Sequence, residues 1–99
     1  MIWQNNMFLL VKQIPIGSVS TYKILAQALG NAGKARAVGN ALNKNRDFKN
    51  IPCHRVVRSN GEVGGYVFGA DKKIKLLKKE GVEISNGKVA DLEKYLHSW

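Results

Sequence analysis

The sequence predicts a mainly α fold: a small helical domain built on a helix-turn-helix (winged-helix-like) unit, with a short hairpin after its single cysteine and helices towards the C-terminus. Three observations carry this. Residues 3–14 place apolar side chains at helical spacing. Two short helical patterns follow, separated by the glycine-containing turn Gly30-Asn31-Ala32-Gly33. A lysine-rich stretch from Asp71 to Lys79 then carries Ile74, Leu76 and Leu77 inside it.

The elements follow in order. Trp3, Met7, Leu10, Val11 and Ile14 share one face of a first helix, which Pro15-Ile16-Gly17 ends. Ser20 is the expected N-cap of a second helix over Tyr22 to Leu29, closed by Gly30. A third runs from about Lys34 to Lys44 and is rich in small residues, Ala35, Ala37, Gly39 and Ala41. Gly39 inside a helix costs about 1 kcal/mol against alanine, so either a neighbouring helix or a nucleic-acid groove must come close there. Asn45 to Pro52 reads as an irregular connection. Val56-Val57 and Val63 flank Ser59-Asn60-Gly61 as the arms of a tight hairpin. Gly64 to Gly69 is a glycine-bounded loop with two aromatics. Asp71 caps the next helix, with Lys72, Lys73, Lys75, Lys78 and Lys79 expected outward and Gly81 as its stop. A last short helix is expected over Val89 to Leu96. With no repeats, low-complexity tracts or linkers, residues 1–99 are expected to form a single domain.

Charge narrows the partners. The net charge is +9, and all seven acids lie at or after Asp47. Residues 1–46 hold Lys12, Lys23, Lys34, Arg36, Lys44 and Arg46 and no acid. A one-signed half repels itself, so a polyanion is the expected partner, against a basic face that serves only solubility. An anionic membrane fits less well, because the basic residues are not interleaved with a strong amphipathic face. No apolar run approaches the roughly 20 residues of a membrane span, and the start lacks the basic region of a signal peptide.

Cys53 is the only cysteine and is followed by His54. An internal disulfide is excluded and soft ligands are too few for a structural zinc, so no metal or cofactor is expected. A free thiol suits a reducing intracellular setting. The thiol is either buried and inert or a nucleophile. Pro52 and His54 have a purpose only in the second case, one stiffening the approach and the other able to take the thiol proton, through water where the side chains diverge. A carboxylate could orient the imidazole. Glu80, at the end of the lysine helix, is the best placed of the acids, although it could equally pair with those lysines on the surface.

Over about residues 5 to 83 the sequence resembles the O6-alkylguanine-DNA alkyltransferases, or methylated-DNA–protein-cysteine methyltransferases. The matching pieces are Ile14-Pro15-Ile16-Gly17-Ser18-Val19-Ser20-Thr21-Tyr22, Ala35-Arg36-Ala37-Val38-Gly39-Asn40-Ala41-Leu42, Asn45, Pro52-Cys53-His54-Arg55-Val56-Val57, Gly65-Tyr66 and Leu76-Leu77-Lys78-Lys79-Glu80-Gly81. The resemblance implies single-turnover transfer of an alkyl group from O6-alkylguanine, with O4-alkylthymine as a secondary candidate, in duplex DNA to Cys53. His54 and Glu80 would form the relay that generates the thiolate, and Asn45 would brace the turn. Tyr22 would rotate the target nucleotide's phosphate and bond the base. Arg36 would enter the duplex and fill the vacated space, with Thr21, Ala35, Ala37 and Gly39 beside it in the minor groove. The carbonyls of Cys53 and Val56 would accept from the guanine amino group. Tyr66, Val67, Phe68 and Gly69 would close over the base.

Relative to the family pattern, the usual N-terminal domain is expected to be missing ahead of the first helix. Val67 stands where some members carry serine, so only a backbone N–H is offered to the guanine oxygen there. A monomer is expected. Three rivals remain: a non-catalytic alkyltransferase-like protein that flags damaged bases, a small helix-turn-helix repressor, and a thiol redox sensor. The first lacks the acceptor cysteine, the second leaves Pro52-Cys53-His54 unexplained, and the third wants a resolving cysteine that this sequence lacks.

Overall fold

The computed structural model describes residues 2–99. Among the described residues there are five α-helices and two pairs of very short strands, besides two 3-10 turns: α1 (Ile2–Lys12), β1 (Ser20–Thr21), α2 (Tyr22–Ala28), α3 (Ala35–Leu42), β2 (Val56–Val57), α4 (Ala70–Lys79), β3 (Ile84–Ser85), β4 (Lys88–Val89) and α5 (Leu92–Tyr95). The fold is mainly α, as the periodicity predicts.

Two apolar clusters hold it together. In the first, α1 contributes Met7 and Val11, and Ile14 follows, all almost fully buried against Leu25, Ala26, Val38, Leu42, Cys53 and Val56. In the second, Val19, Val57, Val63, Leu77, Val82 and Val89 pack together beneath α4. Each fully buried aliphatic side chain contributes about 1.5–3 kcal/mol. The candidate nucleophile therefore sits in the first core, and α4 spans from the second core to the residue beside it.

The helix-turn-helix forms as expected, with refined ends. Asn31 caps a 3-10 turn over Ala32–Lys34, its side chain accepting from Gly33 N, and α3 begins directly after it. The cap of α2 is Thr21 rather than Ser20: the Thr21 hydroxyl accepts from Ile24 N at 3.0 Å. Ser20 instead lies in β1, paired in parallel register with Val56, while Thr21 pairs with Val57. This pairing moves the cap one residue on.

The same pairing revises the expected hairpin. The turn at Ser59-Asn60-Gly61 is present, closed by Arg58 N to Glu62 O at 2.8 Å and Gly61 N to Arg58 O at 2.9 Å. Its apolar arms do not pair with each other: Val56-Val57 takes β1, and Val63 N donates to Gly87 O. The antiparallel hairpin after Cys53 is β3–β4. Its turn is Asn86-Gly87, both at positive φ (53° and 76°), the geometry of the tight two-residue hairpin turn. That hairpin takes up Val89, so the expected helix from Val89 to Leu96 shrinks to the single turn of α5, and Leu96 bridges to Val19.

α4 is capped by Gly69 at φ 95°, with Asp71 in its first turn and no side-chain cap bond. Ile74, Leu76 and Leu77 face inward as expected. Lys73 does not face outward. It is 1% exposed, on the same side of the helix as Leu77. No helix among the described residues is long and apolar enough to cross a membrane.

Candidate active site

Cys53 opens a 3-10 turn, Cys53–Arg55, directly after Pro52. Both the thiol and His54 are buried, at 7% and 8% exposed. The turn is tied on both sides: Cys53 N donates to Ile51 O, and Arg55 N to Pro52 O. Asn45 holds it from beneath. Its Nδ2 donates to Ile51 O at 3.1 Å and reaches the Cys53 Sγ at 3.5 Å, while its Oδ1 accepts from Asp47 N.

Glu80 reaches the turn from the C-cap of α4. Its Oε2 lies 2.9 Å from His54 Nε2, and the Arg55 guanidinium grips both carboxylate oxygens, Nε to Oε1 and Nη2 to Oε2, at 2.9 Å each. Arg55 Nη1 also donates to Ile14 O. Glu80 is thus not a surface partner of its lysine neighbours. Burial alone would raise its carboxyl, but the bonds from Arg55 and His54 outweigh it and hold Glu80 below the ordinary carboxylate range. Burial lowers the His54 imidazole, and the pull of Glu80 only partly offsets this. The two do not titrate as a simple ion pair: Arg55 keeps Glu80 ionised, and desolvation keeps His54 neutral. Nε2–H then donates to Glu80 and Nδ1 is left as the basic nitrogen. Among the described residues no hydrogen bond joins the imidazole to Sγ directly, as expected for adjacent side chains.

The residue that the sequence reading missed is Lys73. Its Nζ donates to Val56 O at 2.7 Å, Gly65 O at 3.1 Å and the Tyr22 hydroxyl at 3.3 Å. All three acceptors are uncharged, and among the described residues no carboxylate pairs with it. Burial pushes the ammonium down from 10.5 to about 8, with Cys53 opposing the shift. An ammonium can only donate, so the Tyr22 oxygen accepts from it and the phenol proton is free for another acceptor. The signal was available: Lys73, Leu77 and Glu80 follow a four-then-three spacing on one face of α4.

Tyr22 opens onto a groove of about 470 Å³ lined also by Ala35, Arg36, Gly39, Asn40, Asn43, Arg58 and Gly65. Arg36 is exposed at its edge. A Cβ on Gly39 would meet only the Tyr22 ring, at 3.8 Å, which is ordinary contact. Internal packing therefore does not demand this glycine, and its free side is the groove. Gly64 differs: at φ 75° it would press a Cβ to 3.3 Å from the Tyr22 hydroxyl.

Two expected groove residues lie elsewhere. Thr21 is 2% exposed with its hydroxyl engaged as a cap, so it positions Tyr22 and offers no free hydroxyl. Ala37 faces a separate cleft with Trp3, Gln4 and Phe8. Of the expected pocket residues, Val56 is fully buried, and Tyr66 is half-buried with its ring 6.5 Å from that of His54. Val67 and Phe68 are exposed, and Phe68 lies 4.7 Å from Phe48 in a tilted aromatic pair. Gly69 is the backbone cap of α4. The Cys53 carbonyl already accepts from Val56 N and the Val56 carbonyl from Lys73, leaving each a second lone pair.

The chain is similar to known proteins in sequence and in fold. A bifunctional methyltransferase/endonuclease of Picrophilus torridus is 48% identical over 89 residues, covering 90% of this chain and 30% of the relative. A methylated-DNA–protein-cysteine methyltransferase of Saccharolobus islandicus is 49% identical over 79 residues, covering 80% of this chain and 50% of the relative. The chain thus spans between 30% and 50% of the length of these relatives. Among solved structures, S. pombe Atl1 in complex with damaged DNA containing O6-carboxymethylguanine superposes with a TM-score of 0.86 at 29% identity, covering 97% of this chain and 94% of Atl1. Mycobacterium tuberculosis OGT in complex with DNA gives 0.77 at 35% identity, over 81% and 49% of the two chains. The model of the 6-O-methylguanine DNA methyltransferase DNA-binding domain matches residues 3–82, which include Cys53, His54, Glu80 and the groove, and the chain belongs to that family.

Proposed function

We propose that this chain repairs alkylated duplex DNA by moving the alkyl group of O6-alkylguanine onto Cys53, once per molecule. The observation that carries the reading is the bond from buried His54, the neighbour of buried Cys53, to Glu80, with the carboxylate fixed by Arg55. Neutral His54 takes the thiol proton at Nδ1 through a bridging water, and Glu80 stabilises the imidazolium that results. The thiolate attacks the alkyl carbon: an S–C bond forms, the C–O6 bond breaks, and its electron pair stays with the guanine. Tyr22, held by Lys73 as a donor, supplies a hydrogen bond to the departing base. The thioether product has no route back, so the reaction is stoichiometric.

The damaged oxygen lies inside a base stack, and turning the nucleotide out costs a few kcal/mol. Arg36, exposed at the edge of the groove beside Ala35 and Gly39, fills the space left behind. The acid-free first half supplies phosphate contacts that do not depend on sequence.

A second reading is damage recognition without transfer, favoured by the likeness to Atl1 over nearly its whole length. Intact-mass measurement after incubation with a duplex containing O6-methylguanine separates the two. Transfer adds one methyl mass at Cys53, with at most one equivalent repaired, while Cys53→Ala binds and repairs nothing. Tight binding of the lesion with no mass change would establish the second reading. Repeated turnover, or methyl on another residue, would overturn the first.

A further inference from the structure

We propose that Arg58 is a second phosphate-binding residue of the DNA groove, standing across Tyr22 from Arg36 and gripping the backbone beside the extruded nucleotide. This deepens the reading of the groove as a duplex site and rests on it.

Arg58 lines the same groove as Tyr22 and Arg36 but comes from the other half of the chain. α2 and α3 supply Tyr22 and Arg36, and the segment after β2 supplies Arg58. Its backbone is fixed: Arg58 N donates to Glu62 O, and Arg58 O accepts from Gly61 N. Its stem runs past Gly64 beside the Tyr22 ring, its Cγ lying 3.5 Å from where a Gly64 Cβ would stand. The head is not fixed. The side chain is 61% exposed, and its one acidic neighbour among the described residues is Glu62, at 3.6 Å. A surface pair this long contributes little, and Glu62 is itself bonded by Asn60 Nδ2. Most of the guanidinium's five donors are therefore free at a groove whose remaining polar lining is Arg36, Asn40, Asn43 and the Tyr22 phenol. Arg58 is also close enough that its charge opposes the burial that raises the Tyr22 phenol and adds to the burial that lowers the Lys73 ammonium. The ligand that suits a planar fork in such a place is a phosphodiester, bound through two oxygens.

The interaction differs from that of Arg36. A finger that fills a gap in the stack acts when a base has left it, whereas a phosphate clamp acts on any duplex. The test measures affinity for a short undamaged duplex as salt is varied. Arg58→Gln keeps the stem and removes the charge. It should weaken binding roughly tenfold at fixed salt and lower the log–log salt slope by about one. The loss should be the same for a duplex carrying O6-methylguanine. Arg58→Lys keeps the charge and should retain the slope. An unchanged slope and affinity in Arg58→Gln would overturn the proposal. So would a lysine variant whose salt slope falls as far as that of the glutamine one, because charge would then not be what the slope reports. Absence of methyl transfer by the unaltered protein, with the Arg58 slope change intact, would sink the transfer reading and leave this one standing.

Discussion

The pocket around Cys53 and the groove beside it sit next to each other and are built on opposite plans. In the pocket, His54 and Arg55 share the Glu80 carboxylate through bonds of 2.9 Å, Asn45 ties the Cys53 turn at 3.1–3.5 Å, and α4 supplies the buried ammonium of Lys73 and the half-buried carboxylate of Glu80. In the groove, Arg36 and Arg58 stand exposed, with one long ion pair between them and every acid nearby. Reactive geometry must be fixed in advance, because reorganising dipoles during a reaction is costly. Phosphate recognition tolerates mobile cations, since each contact is worth little and counterion release supplies the drive.

The largest break in that contrast should come from Glu80→Gln. It removes the charge that Arg55 and His54 share, leaving a half-buried guanidinium unpaired. We expect a loss of about 2–3 kcal/mol in stability and a fall in transfer rate of about a hundredfold, with duplex affinity nearly unchanged. Urea denaturation, single-turnover rates and binding isotherms report the three separately. A wild-type rate would show that the relay has been misassigned.

Arg36→Ala should give the complementary pattern. Transfer from duplex DNA should slow by roughly ten- to a hundredfold, while reaction with the free alkylated base is nearly spared. Equal losses on both substrates would place Arg36 in the support of the pocket instead.

The smallest effect is the pH dependence of stability, and Lys73 sets its sign. The folded ammonium loses its proton at about 8, against 10.5 when unperturbed. Between those values the unfolded chain holds more protons, so stability must rise with pH. The gain should be of order 2 kcal/mol between about pH 8 and pH 10, before ionisation of Tyr22 and Tyr66, both raised by burial, works against it. Lys73→Met should flatten the rise, as thermal melts at fixed ionic strength would show. His54 acts at the other end. Its lowered imidazole means that stability and transfer both hold at neutral pH and decline as acid protonates the ring.

Local pattern carried much of this molecule. The apolar face of α1, the turn between α2 and α3, and the motif Pro52-Cys53-His54 were all legible because each is encoded within a few residues. What escaped was encoded between distant ones. The parallel pairing of Ser20-Thr21 with Val56-Val57 has no turn to announce it, and it moved both a helix cap and a hairpin. Lys73 was hidden by composition: five lysines in nine residues read as a solvated surface, although its spacing to Leu77 and Glu80 marked the inner face. Asn86-Gly87 was a plain turn signal overlooked in favour of a terminal helix. Spacing alone could not bring Glu80 to His54; the family resemblance implied it, and the structure puts the two 2.9 Å apart.

Arg55 joins the carbonyl of Ile14, just past the end of α1, to the carboxylate at the end of α4. Nearby, Gly17 passes so close to the Glu80 carbonyl that an added Cβ would stand 3.3 Å from it. These two segments are far apart in sequence, yet neither can loosen without releasing the other. In hydrogen-exchange terms they form one cooperative unit, whose amides open together. A substitution that frays the last turn of α1, distant from any reacting atom, would reach Cys53 through the carboxylate that orients its histidine.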